Sequence, residues 1–95
     1  MMLVKCHERG VVSLCDRELL GKQYTEGKFS LEIGESFYGG EEKDEEEVIT
    51  LLQTAQGLNI VGENAVQFVL RLGIIVSEDV FRVQGVPHVQ VYAFD

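Results

Sequence analysis

The chain has 95 residues, 45% apolar and 25% charged, with a net charge of −8, which suits one globular domain with a modest core. No apolar run approaches the roughly 20 residues of a membrane helix, and Met1-Met2-Leu3-Val4-Lys5 lacks the pattern of a secretory signal; a cytoplasmic protein with reduced thiols and no membrane partner is expected. Residues 1–28 carry five Lys/Arg against four acids and the rest three against twelve, so a phosphate backbone is repelled by the second part and RNA would be met through residues 1–28.

In chain order, residues 2–7 and 11–15 read as two strands around Glu8-Arg9-Gly10. A three-residue loop with Gly10 left-handed pairs Val4 with Leu14 and Cys6 with Val12, and puts Val4, Cys6, Val12 and Leu14 on one apolar face. Asp16 is an N-cap candidate for the turn Arg17-Glu18-Leu19-Leu20, which Gly21 ends. Residues 28–33 alternate, with Phe29, Leu31 and Ile33 inward, as a half-buried strand does. Gly34 to Gly40 reads as a loop. A helix is expected from about Asp44 to Gln56, with Val48, Leu51, Leu52 and Ala55 at helical spacing. Leu58-Asn59-Ile60-Val61 reads as a connector to a second helix, roughly Glu63 to Leu72, that Gly73 ends. Val80–Gln84 and His88–Phe94 read as a second hairpin, bent at Gly85-Val86-Pro87, with Val89, Val91 and Ala93 on one face of its last strand.

The residues with reactive side chains form no recognised catalytic spacing. In the preferred register Cys6 and Cys15 point to opposite faces and cannot bridge; Cys6 is expected to be packed and Cys15 to lie near a strand end. A zinc site would need Cys15, His7 and His88 to converge, and neither a metal nor a cofactor is expected. The acidic run Glu41-Glu42-Lys43-Asp44-Glu45-Glu46-Glu47 suits a helix N-terminus, whose dipole favours anions. It lacks the alternating oxygen ligands of a calcium loop.

Phe37-Tyr38-Gly39-Gly40 places two aromatic rings beside two glycines, a pattern that suits a stacking or docking loop. His88, just after Pro87, could act beside Glu41, Asp16 or Tyr38 in a small enzyme or small-molecule-binding domain. The blocks Leu19-Leu20-Gly21-Lys22, Phe37-Tyr38-Gly39-Gly40-Glu41, Asn59-Ile60-Val61-Gly62-Glu63 and Gly85-Val86-Pro87-His88 together resemble the archaeal domain-of-unknown-function family 424, over nearly the whole chain. The resemblance implies a single-domain archaeal cytoplasmic protein. It suggests a place in translation or RNA metabolism, and it brings no catalytic residue or cofactor with it.

The expected fold is therefore α+β: a mostly antiparallel sheet of two hairpins plus the Phe29–Ile33 strand, with two helices on one face. The expected function is a non-enzymatic interaction module with a protein partner, whose binding surface joins Phe37, Tyr38, Gly39 and Gly40 to Pro87 and His88. On this reading Tyr38→Ala leaves the fold intact and abolishes binding. An open sheet edge would allow a homodimer.

Overall fold

The computed structural model describes residues 2–92. Its main sheet has six strands: β1 (Met2–Cys6), β2 (Val11–Cys15), β5 (Glu41–Lys43), β6 (Gly57–Val61), β7 (Phe81–Val83) and β8 (Val86–Tyr92), in the order β5-β1-β2-β6-β8-β7. A separate two-stranded ribbon pairs β3 (Gln23–Glu26) with β4 (Phe29–Glu32). Three helices complete the fold: α1 (Glu35–Tyr38), α2 (Glu45–Leu52) and α3 (Glu63–Arg71).

The first hairpin has the expected register, with Leu3 opposite Cys15, Val4 opposite Leu14, Lys5 opposite Ser13 and Cys6 opposite Val12. Its bend holds Arg9 and Gly10 at φ 65° and 75°. The sheet as a whole departs from expectation. It is mixed, because β2 and β6 run parallel, Val11 opposite Gly57 through Cys15 opposite Val61. Leu58-Asn59-Ile60-Val61 is thus no connector. It belongs to a strand whose five residues are all buried, and a strand covered on both faces carries no alternation to reveal it. Phe29–Ile33 does not join the main sheet. Its strand pairs only with β3, across a turn at Gly27.

Glu41–Lys43, expected as part of the approach to a helix, is an edge strand paired with β1. The helix after it starts where expected. Asp44 caps α2 through a capping box: its Oδ1 accepts from Glu47 N–H at 2.9 Å, and its own N–H donates to Glu47 Oε1 at 3.3 Å. The helix ends at Leu52, short of Gln56, as Thr54 and Ala55 turn back onto Leu51 and Leu52 carbonyls. The second hairpin bends at Gln84-Gly85, with φ 50° and 80°, instead of Gly85-Val86-Pro87. Two positive φ values make the tight turn that matches strand twist. Pro87 lies within β8, opposite Arg82. Its carbonyl accepts from Gly62 N–H at 3.0 Å, just past the end of β6, so its missing N–H falls beyond the ladder. The expected continuation through Ala93 to Phe94 lies outside the described residues.

Both faces of the sheet are covered, by different means. On one face Val4, Val12, Leu14, Leu58, Ile60 and Val89 pack against Val48 of α2 and Ala65, Val66, Phe68 and Val69 of α3. On the other, Leu3, Cys15, Val61 and Val83 meet Leu31 and Ile33 of the β4 segment and Tyr38 of α1. Cys6 is exposed at the end of β1, contrary to expectation, and Cys15 is buried.

Asp16 was expected to cap its own turn. Its carboxylate reaches instead across the fold to α3, where Oδ2 accepts from Asn64 N–H at 2.9 Å and Oδ1 from Ala65 N–H at 2.8 Å. This satisfies two otherwise unpaired donors at the helix start. Gly62, at φ 109°, makes the approach feasible: a Cβ there would lie 2.4 Å from the Asp16 carboxyl carbon.

Candidate functional site

The ribbon-side face combines apolar contacts with a polar stripe that crosses four strands. Side chains two apart on a strand share a face, so Lys5, Ser13, Asn59 and His88 project to the side covered by α1. There Tyr38 O–H and His88 Nε2–H both donate to Asn59 Oδ1, the latter at 3.1 Å. An amide oxygen can only accept, so this arrangement corresponds to the Nε2–H tautomer of His88. His88 Nδ1 is buried without a partner among the described residues. Phe81 closes over the imidazole edge to face, 5.1 Å between centroids.

A second group lies across β1 and β2. Ser13 Oγ donates to Phe37 C=O at 3.1 Å and meets His7 Nε2 at 3.1 Å. The His7 ring stacks on Phe37 at 4.2 Å, and Phe37 meets Tyr38 edge to face at 4.9 Å. The Lys5 ammonium donates to Ser36 C=O, which ties α1 to the sheet.

Burial sets the protonation chemistry of this face. It holds the His88 imidazole below its usual range, so the ring is neutral near pH 7. It pushes the Tyr38 phenol up, with Cys15 and Tyr92 adding to the effect. It raises the Cys15 thiol to about 12, helped by the nearby Asp16 and Glu18 charges; that thiol donates to Asp16 C=O at 3.2 Å. Asp16 is also raised, because burial outweighs its two backbone N–H bonds.

The structure brings some of the sequence-identified residues together and separates others. Phe37, Tyr38 and His88 share the ribbon-side face. Tyr38 and His88 are only 5% and 6% exposed, so neither ring is open for stacking, and Tyr38→Ala would remove a packed core side chain. Gly39 and Gly40 serve close approach: a Cβ at Gly40 would lie 2.0 Å from the Val4 carbonyl oxygen, and one at Gly39 2.4 Å from that of Glu35. Pro87 is buried and, next to His88 on β8, projects to the helix side.

Among the acids expected beside His88, Asp16 is engaged at α3. Glu41 sits on β5, four strands from β8, about 19 Å away at normal strand spacing. His7, His88 and Cys15 have separate partners, and among the described residues no group of three or more His, Cys, Asp or Glu could hold a metal ion. No helix among those residues is long and apolar enough to cross a membrane.

Sequence reasoning missed Asn59, Phe81 and Tyr92. Asn59 was a usable signal, a lone amide inside the apolar run Leu58–Val61. Phe81 and Tyr92 are 46% and 58% exposed. Phe81 lies opposite His88, and Tyr92 follows His88 and Gln90 along one face of β8. Together they rim the buried cluster.

Comparison with known proteins agrees with the fold. A crystal structure of an uncharacterized conserved protein from Methanopyrus kandleri superposes with a TM-score of 0.80 at 28% identity, covering 98% of this chain and 91% of that one. No curated protein matches the chain. The family described as "Protein of unknown function (DUF424)" matches over residues 4–94, and the chain belongs to that family.

Proposed function

We propose that the protein is a non-enzymatic interaction module that binds a protein partner through its ribbon-side face. The observation that carries this reading is the pairing of exposed Phe81 and Tyr92 with a locked cluster beneath them. Exposed aromatic rings on a rigid sheet supply contact area at low entropic cost, and such residues dominate binding energy at interfaces. The groups below are poorly suited to catalysis. His88 and Tyr38, which does lie beside it, are both buried and both held on Asn59 Oδ1, and the other two groups of the enzyme alternative, Asp16 and Glu41, lie elsewhere.

A protein partner fits better than RNA. The net charge of −8 disfavours phosphate, and of the cations on this side Lys5 is tied to α1 and Arg17 is paired with Glu42. The edge strands are three residues each, and β5 is Glu41-Glu42-Lys43. Charged, short edges oppose self-pairing through β5 or β7.

The test is a pull-down from native-host lysate with tagged wild type and the double variant Phe81→Ser/Tyr92→Ser, each with and without ribonuclease, read by mass spectrometry. The proposal expects one partner that survives ribonuclease and is lost with the variant. The identity of that partner decides whether translation or RNA metabolism is the setting. Loss on ribonuclease treatment would replace the protein partner with RNA; equal retention by the variant would remove this face.

A further inference from the structure

On the opposite side of the sheet, the ends of α2 and α3 converge on an open apolar trough. Ile49, Leu52 and Gln53 of α2 and the turn after it, with Leu72 and Ile74 after α3, line a cavity of about 200 Å³. Leu52, Gln53 and Ile74 continue into a neighbouring cavity of about 350 Å³ that reaches Ala55 and Leu58. Ile49 and Leu72 are 37% and 39% exposed.

The charges nearest the Ile49–Leu72 end of this trough are mostly negative, while exposed Arg9 stands at its far end, next to Gly10, whose carbonyl accepts from Gln56 N–H. Helix C-termini carry partial negative charge, and two of them meet here. α2 has no basic residue in its last turn. α3 has Arg71, but that guanidinium is held by Glu45 at 3.1 Å. Glu46 stands exposed one turn before Ile49 and Thr50. An apolar floor under negative potential is complementary to a segment that is apolar on one side and basic on the other.

We infer that this trough is a docking groove for a basic amphipathic helix of another protein, whose apolar anchors seat between Ile49, Leu52, Leu72 and Ile74 while its Lys or Arg side chains meet the helix C-termini. Helix-in-groove recognition uses this combination of anchors and flanking charge. A second copy of the chain is a poor occupant, since two bodies of net charge −8 repel. The inference rests on the interaction-module reading but is independent of the ribbon-side face.

The experiment is an NMR titration of the labelled protein with a synthetic Leu/Lys amphipathic helix about four turns long, and with its Leu/Glu counterpart. The Leu/Lys peptide is expected to bind with shifts clustered at Ile49, Leu52, Gln53, Leu72 and Ile74. The Leu/Glu peptide is expected not to bind. Ile49→Lys should weaken binding about tenfold or more, and Leu72→Lys serves if that variant is unfolded by its own spectrum. Phe81→Ser/Tyr92→Ser should bind like wild type, which separates this groove from the ribbon-side proposal. Shifts centred on Glu41–Glu47, equal binding of both peptides, or unchanged affinity in a folded Ile49→Lys protein would overturn the inference.

Discussion

The two faces of the sheet are built differently. The helix side is closed by apolar side chains from two helices, with Leu14, Ile60, Ala65, Val66 and Val69 fully buried. The ribbon side is closed by a two-stranded ribbon and one helical turn, and it buries Ser13, Asn59 and His88 among its apolar contacts. Apolar burial is non-directional and tolerant. Buried polar groups need specific partners and cost free energy when one is lost. The helix side, with the larger apolar cluster, therefore carries the larger share of the apolar stabilisation, and the ribbon side adds directional constraints on α1 and β8 to an apolar cluster of its own.

The largest expected effect contrasts the two directly. Leu14→Ala, at the centre of the helix-side core, should cost about 3–5 kcal/mol. Leu31→Ala, under a ribbon free to settle onto the vacated space, should cost about 2 kcal/mol, at the low end for such changes. Urea unfolding of both variants measures the difference, and equal losses would erase the distinction.

Next comes the junction between faces, where Asp16 reaches α3 past Gly62. Gly62→Ala should cost about 2–3 kcal/mol, through its positive φ and the clash with the carboxylate. Asp16→Ala should cost about 1–2 kcal/mol as a lost cap. The double variant should cost less than the sum, because removing the carboxylate relieves the clash. Strict additivity in a double-mutant cycle would show that the two do not act as a unit.

A smaller effect is pH dependence, to which only the ribbon-side cluster contributes a histidine. The folded His88 pKa is lowered by burial, so below about 6.5 the unfolded chain binds a proton that the folded one resists. The stabilisation is complete above that pH and is lost as pH falls toward the folded value, with a slope of at most about 1.4 kcal/mol per pH unit. Thermal unfolding at pH 7.5 and 5.5 should show a decline in wild type that His88→Gln reduces. Asp16, raised by burial, contributes with the opposite sign at the lower pH of carboxylate titration, which is why the comparison stops at 5.5. A decline unchanged in His88→Gln would place the titrating group elsewhere.

The smallest effect is at the exposed margin of the ribbon side, where Glu42 lies opposite Leu3. Arg17 and Glu42 pair at 2.8 Å, but their side chains are exposed. Arg17→Ala should change stability by no more than about 0.5 kcal/mol. A larger loss in urea unfolding would mean that this end of the sheet couples to β5 more tightly than its exposure suggests.

Local chemistry was enough for several elements. The spacing around Glu8-Arg9-Gly10 set the first hairpin register, because one slip would have moved Ser13 to the face of Cys6. Asp44 and the apolar stripe behind it located α2, and Gly62 and Gly73 framed α3. What escaped was information carried by partners distant in sequence. Leu58–Val61 is a strand because β2 and β8 flank it, and a short apolar run does not reveal such neighbours. Asp16 caps a helix 48 residues away, whereas the sequence offers it only the turn that follows. The candidate site divides in the same way. Phe37, Tyr38 and His88 were visible as residue types, but the meeting of Tyr38 and His88 at Asn59, with Phe37 packed on Tyr38, was not. Exposure was equally hidden: Tyr38 is buried and Tyr92 open because of what the ribbon and α1 cover. By itself the sequence determined the elements whose signals lie within a few residues. The tertiary structure alone decided strand order, which polar groups are buried together and which aromatic rings face solvent, because each depends on contacts between segments that no local pattern encodes.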